Sequence, residues 1–209
     1  MDEKRRGLMT WLKGGKREAR EEAQDPKARL SPRSPVLSLV DKFEDLGEIG
    51  RGSMASVRLV RDRNLLRPVA MKVLLPEVAA QKGELERFLE EAQITGQLDH
   101  PNIPPVYEVG ADEEGTHYFA MKHVQGVTLD QVLRSDGFSA RDHRPLFRAL
   151  QVFVDVCQAV AFAHGRGVVH CDLKPSNVMV GSHGQVYVMD WGIARLTGEA
   201  RPSGACEQS

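Results

Sequence analysis

The stretch that most constrains this chain runs from Val168 to Gly192, VVHCDLKPSNVMVGSHGQVYVMDWG. Within it, Val178-Met179-Val180 and the run from Gln185 to Met189 are short and β-prone. Gly181-Ser182-His183-Gly184 separates them, so the segment reads as a hairpin with a glycine-containing loop. Asn177 precedes the first strand and Asp190 follows the second. Antiparallel pairing therefore predicts both at the open end of the hairpin, roughly 5 Å apart at neighbouring-strand spacing. Asp172, in the turn that feeds the hairpin, adds a third oxygen donor. Hard oxygen donors converging in this way suit Mg²⁺, which takes one or two carboxylates plus substrate phosphates. Taken singly, either carboxylate reads equally well as an acidic turn residue; the set is what points to chemistry.

These residues carry a family resemblance. His170-Cys171-Asp172-Leu173-Lys174-Pro175-Ser176-Asn177 and Asp190-Trp191-Gly192 resemble the catalytic loop and the metal-binding triplet of protein kinases. Lysine two positions after the aspartate is typical of serine/threonine kinases, and tryptophan in the triplet is similar to bacterial members. The resemblance implies an α+β, protein-kinase-like fold with a complete N-terminal lobe, an antiparallel sheet plus one helix, and an incomplete helical C-terminal lobe. It implies ATP and Mg²⁺ as cofactors and a protein serine or threonine as substrate. Asp172 and Lys174 would be catalytic, and Asn177 and Asp190 would hold the metal.

Upstream, Leu46 to Ile49, Gly50-Arg51-Gly52-Ser53-Met54-Ala55-Ser56-Val57 and Val57 to Arg61 read as strand, glycine-rich turn and strand, whose backbone can close over phosphates without Cβ interference. An ordinary hairpin turn is the plain alternative. A dinucleotide-binding fold is the other, but it needs a helix directly after the glycines, and here the next segment is β-like. Ala55 stands where the kinase pattern has its third glycine. Beyond a turn over Asn64 to Pro68 comes Val69-Ala70-Met71-Lys72-Val73-Leu74, whose alternation puts Ala70 and Lys72 on one face. A lysine between apolar neighbours in mid-strand is expensive unless it meets an anion. By the resemblance, Lys72 holds phosphates and pairs with a helical glutamate.

That helix is predicted over 83–97, where Leu85, Phe88, Leu89 and Ala92 form the core-facing stripe and Pro101 forbids continuation. Glu90 and Glu91 are both candidates for the partner. Glu91 lies nearer the Phe88 edge of the stripe and also matches the family's alignment, so Glu91 is chosen. Two further strands, Val106 to Gly110 and His117 to His123, read as a hairpin. The family match then implies Met121 at the back of an adenine pocket and Lys122, His123 and Val124 as its hinge. It implies Ile49, Gly50, Gly52, Val57, Ala70 and Met179 as further nucleotide contacts. Read without the resemblance, such apolar β-residues are more often core.

Helical patterns follow over Leu129 to Leu133 and from Pro145 to about His164, where Leu146, Leu150, Phe153, Cys157, Val160 and Ala161 make a broad apolar face that wants a partner. The domain expectation is a charged, disordered tail over 1–42, an N-lobe over 43–124, a partial C-lobe over 125–196 and a second tail over 197–209. In the first tail, Leu8, Met9, Trp11 and Leu12 form only a short apolar patch. Arg195 to Ser209 reads as unstructured. No Ala-Pro-Glu motif follows the triplet, so the family's pattern is expected to be truncated here, and self-association or a partner protein through the 145–164 helix is expected.

A formal charge of -1 gives no support for nucleic-acid binding. No run approaches the eighteen or so apolar residues of a membrane span. Three cysteines, Cys157, Cys171 and Cys206, are an odd count without paired spacing, which argues for reduced thiols in the cytoplasm. Cys157 reads as helix core, and His164, His170 and Cys171 fit no zinc spacing. Cys171 also replaces the arginine that many kinases carry, and a thiol cannot pair with a phosphorylated loop. Two function classes are thus in play: a serine/threonine kinase, and a non-catalytic ATP-binding or interaction module.

Overall fold

The computed structural model describes residues 42–135 and 143–197. Its first layer is a five-stranded antiparallel sheet built from β1 (Phe43–Arg51), β2 (Ala55–Asp62), β3 (Arg67–Leu74), β4 (Val106–Ala111) and β5 (His117–Lys122), in the spatial order β1-β2-β3-β5-β4. β3 is therefore central, with β2 and β5 on either side. The sequence places a turn over Asn64 to Pro68, but Arg67 and Pro68 already belong to β3, opposite Asp62 and Arg61. Asp62, buried, closes the shortened turn by accepting from the backbone N–H groups of Asn64 and Leu65.

The sheet buries apolar side chains on both faces. Val60, Val69, Met71 and Ala120 cluster on one side, while Ala55, Leu74 and Phe119 face α1 (Pro76–Ala79) and α2 (Glu84–Gln97) on the other. Gly83, with φ of 86°, turns the chain into α2. Phe88 and Ala92 are fully buried there, and the Phe88 ring packs against Phe119 at a centroid distance of 5.1 Å.

After the sheet, β6 (Gly126–Thr128) leads into α3 (Leu129–Leu133), whose start is fixed by a capping box between Thr128 and Gln131. β6 lies against β8 (Val178–Gly181), which pairs in turn with β9 (Val186–Val188). That approach needs Gly126, since a Cβ there would lie 2.2 Å from the Val180 carbonyl oxygen. α4 (His143–His164) packs beneath, and β7 (Val168–Val169) follows it.

Three expectations change on this side of the molecule. First, α4 presents Val152, Val156, Ala159 and Ala163 to the core, whereas Leu150 (53% exposed), Phe153 (61%) and the Cys157 thiol face outward. Cys157 is therefore not helix core. The helix is apolar on most of its circumference, so periodicity alone does not say which side packs. Second, Arg195 and Leu196 are not tail: they form β10 (Arg195–Leu196), antiparallel to β7, and the Thr197 N–H donates to the Gly167 carbonyl at 2.6 Å. Third, although no unbroken apolar run exists, α4 is long and apolar enough to cross a membrane by length and composition. Its packed face belongs to the core shared with β8 and β9. Of the N-terminal tail only Lys42 lies within the described residues, and there its ammonium pairs with Glu108 on β4. The other residues assigned to that tail, and residues 198–209, lie outside them.

Replacing Phe88 by Ala should cost about 3–5 kcal/mol of unfolding free energy, because a fully buried aromatic leaves a cavity that the rigid sheet cannot fill. Urea denaturation measures it. A loss below about 1.5 kcal/mol would mean that α2 is not anchored by this contact.

Candidate functional site

The site lies where β3, α2 and the open end of the β8–β9 hairpin meet. Lys72, on central β3, projects toward α2 and places Nζ 2.6 Å and 2.8 Å from the two carboxylate oxygens of Glu91. Glu91 is 5% exposed and the Lys72 side chain 16%, so both charges are largely out of water and each needs the other. Burial pushes the Glu91 carboxyl up from its ordinary value, and the Lys72 ammonium works against that rise. Thr95 supports the helix one turn on by donating to the Glu91 backbone carbonyl at 2.8 Å. Of the two candidate glutamates, Glu91, the one chosen from the sequence, is the one that meets the lysine.

Lys72 also stands 3.8 Å from an Asp190 carboxylate oxygen, which ties the sheet to the hairpin. The register differs slightly from the simple expectation. Val178 pairs with Val188, and the Met189 N–H donates to the Asn177 carbonyl at 2.7 Å, so Asn177 faces Met189 and Asp190 lies one residue beyond. Asp190 has φ of 62°, and this left-handed turn redirects the chain toward Lys72.

Asp172, Lys174 and Asn177 form the second half of the site. Lys174 Nζ is 2.7 Å from Asp172 Oδ2, and the Asn177 side-chain amide donates to the Asp172 carbonyl at 2.9 Å and to its carboxylate at 3.0 Å. The hydrogen bond from Lys174 holds the Asp172 carboxyl below the usual carboxylate range; slight burial opposes this and the Asn177 amide adds to it. Because the Asn177 NH₂ group is committed to Asp172, its side-chain oxygen is left as the donor for a cation. Asn177 and Asp190 thus supply the neutral and the charged hard oxygen that Mg²⁺ prefers, and the donor set fits that ion.

Most of the predicted nucleotide contacts lie on β1 to β5 or the turn between β1 and β2, with Val124 just after β5 and Met179 on β8. Val57 is opposite Lys72 and Ala70 opposite Met121 across the strand pairs, and Met179 on β8 lies between Thr128 and Tyr187. Ala70 is buried; Val57, Met121, Val124 and Met179 are half-buried; Ile49 and Gly52 are exposed at the β1–β2 turn, with Gly50 half-buried beside them. That turn is closed by the Gly52 N–H donating to the Ala55 carbonyl at 2.9 Å.

His170, which fits no zinc spacing, has a different part in the site. His170 is buried, accepts at Nδ1 from the Asp172 N–H at 3.2 Å and so donates from Nε2 to the Met189 carbonyl at 3.0 Å. Its ring packs 4.6 Å from buried Trp191, whose indole N–H reaches the Val188 carbonyl. His170 therefore locks the loop carrying Asp172 to the strand leading to Asp190. Its place at the head of the loop motif was the available signal, but the bonds depend on how the two segments fold together.

A lysine–glutamate pair from the small sheet and helix, facing a loop with aspartate, lysine and asparagine and a hairpin ending in aspartate, is the layout of the protein kinase class. Residues 43–207 match the protein kinase domain. The chain is 42% identical over 161 residues to the serine/threonine-protein kinase PknB of Mycolicibacterium smegmatis, covering 75% of this chain and 25% of that protein. It is 40% identical over 166 residues to PknB of Mycobacterium tuberculosis, covering 78% of this chain and 26% of the relative. It is also 36% identical over 169 residues to PknD of Protochlamydia amoebophila, covering 78% and 17%. The chain belongs to the protein kinase family, among relatives of the bacterial serine/threonine type, and matches about a quarter or less of the length of these curated relatives.

With its pKa lowered, Asp172 stays ionised to a lower pH than an ordinary aspartate, and the stability its pair with Lys174 contributes, full above the ordinary aspartate value, is lost as the pH falls from there through the lowered one. Carboxyl-carbon NMR should place the Asp172 midpoint below that of an ordinary aspartate, and Lys174→Ala should move it upward. An unmoved midpoint would show that Lys174 does not set this ionisation.

Proposed function

We propose that this chain transfers the γ-phosphoryl group of ATP to a serine or threonine hydroxyl of a protein. The observation that carries the reading is the 3.8 Å approach of Lys72 to Asp190 while Lys72 remains paired with Glu91, since it supports a single phosphate site between the two lobes. Lys72 would neutralise phosphate charge. Asp172 would accept a hydrogen bond from the incoming hydroxyl and orient it. Held at a low pKa, it is a weak base, so the proton would pass to it only as the new oxygen–phosphorus bond forms and the bond to the leaving ADP oxygen breaks. Lys174 would balance charge on the moving group. Asn177 and Asp190 would hold Mg²⁺, which when bound neutralises phosphate charge. The division into an N-lobe over 43–124 and a partial C-lobe over 125–196, with the nucleotide between them, and a cytoplasmic setting belong to the same proposal. The exposed thiols of Cys157 and Cys171 favour that setting.

A second reading, a nucleotide-binding module that does not transfer phosphate and docks through α4, is favoured by one observation. Phe147, Leu150, Phe153 and Val154 are all more than half exposed on one helix.

A radiolabelled phosphate-transfer assay with a generic protein substrate, run beside an ATP-induced thermal shift, separates the two. Asp172→Asn should lower transfer by about 10²-fold or more while preserving the shift. Undiminished transfer would remove Asp172 from its role. A shift with no transfer by the unaltered chain would favour the binding module.

A further inference from the structure

Gly192 ends the Asp-Trp-Gly triplet, and its own φ does not demand glycine, since it is outside the left-handed region, which in this triplet is occupied instead by Asp190. What a side chain at this position would meet is another matter. A Cβ built on Gly192 would lie 2.9 Å from Glu91 Oε2, 3.3 Å from Glu91 Cδ and 3.3 Å from Asp190 Oδ1. The first of these distances is shorter than a carbon and an oxygen tolerate, so one of them has to move. The carboxylate is the free end of a flexible side chain and would yield first. It is also the group that holds Lys72 at 2.6 Å and 2.8 Å, so yielding means opening that ion pair.

We propose that Gly192 is a positioning residue whose missing side chain reserves the space in which the Glu91 carboxylate meets Lys72. The triplet then does more than present Asp190: its last residue makes α2 and the hairpin mutually dependent, because Glu91 can occupy its place only over a bare Cα. The functional consequence rests on the reading of Lys72 as the phosphate-holding residue; the steric relation does not. Since alanine suits the Gly192 backbone, Gly192→Ala tests the side-chain collision with little backbone strain.

The test is a double-mutant cycle on the whole chain, comprising wild type, Gly192→Ala, Glu91→Ala and the double variant. The first readout is the urea denaturation midpoint without nucleotide. Gly192→Ala should lower the midpoint in the wild-type background and leave it nearly unchanged in Glu91→Ala, where the colliding carboxylate is gone. Equal losses in both backgrounds would overturn the proposal. If Gly192→Ala does not fold, the double variant should, and its failure to fold would likewise overturn it. The second readout is ATP affinity with Mg²⁺ present, where Gly192→Ala should weaken binding about five-fold or more in wild type and less than about two-fold in Glu91→Ala. Coupled midpoints uphold the steric role of Gly192 whatever ATP does. If the midpoints couple but the unaltered chain does not bind ATP, the reading of the site as an ATP cleft fails by itself.

Discussion

The ion pair between Lys72 and Glu91 is the contact on which the arrangement of this molecule depends. A glutamate 5% exposed is tolerable only with a charged partner, and a lysine in the centre of a sheet has the same need. Satisfying both fixes the height and rotation of α2 against β3. It leaves Lys72 beside the open end of the β8–β9 hairpin, where Asp190 stands 3.8 Å away. Phe88 and Phe119, packed one turn and one strand away, hold the pair in place from the apolar side.

The opposite wall of the cleft is a backbone frame with few charges to spare. Cys171 and Asp190 are non-glycine residues with φ of 64° and 62°, conformations that cost about 1 kcal/mol or more each and persist only where neighbours enforce them. The enforcement is visible: His170 bonds to the backbone on both sides of the cleft floor, and Trp191 is buried beneath it. Asp172 is consequently presented with its backbone N–H engaged, its carboxylate shared by Lys174 and Asn177, and a lowered tendency to take up a proton in the resting state.

Much of this was legible in the residues. The β-hairpin after the loop carrying Asp172 followed from two β-prone runs around a glycine-containing loop, and the helix predicted over 83–97 from period-3.6 patterning, which together with the family resemblance also selected Glu91 over Glu90. The same reasoning failed for Cys157 on α4, read as helix core, because it is as apolar as Val152, Val156 and Ala159; it lies instead with Leu150 and Phe153 on the exposed apolar face. Only the position of β9 and Trp191 decided which side was covered. It failed again at Arg195 and Leu196, since a two-residue strand has no pattern of its own and exists by virtue of Val168 and Val169 alongside.

The sequence by itself determined the oxygen donors Asp172, Asn177 and Asp190 around one hairpin, the mid-strand lysine Lys72 that needs an anion, and the strands and helix that carry them, while the roles of Glu91 and Lys174 came with the family resemblance. Tertiary structure decided which of these groups touch. That Asn177 is committed to Asp172, that Asp190 reaches Lys72 through a left-handed turn, and that Glu91 rests over the bare Cα of Gly192 all depend on segments far apart in the chain packing at one place. Distances of that kind are set by close packing between elements, which no single segment encodes.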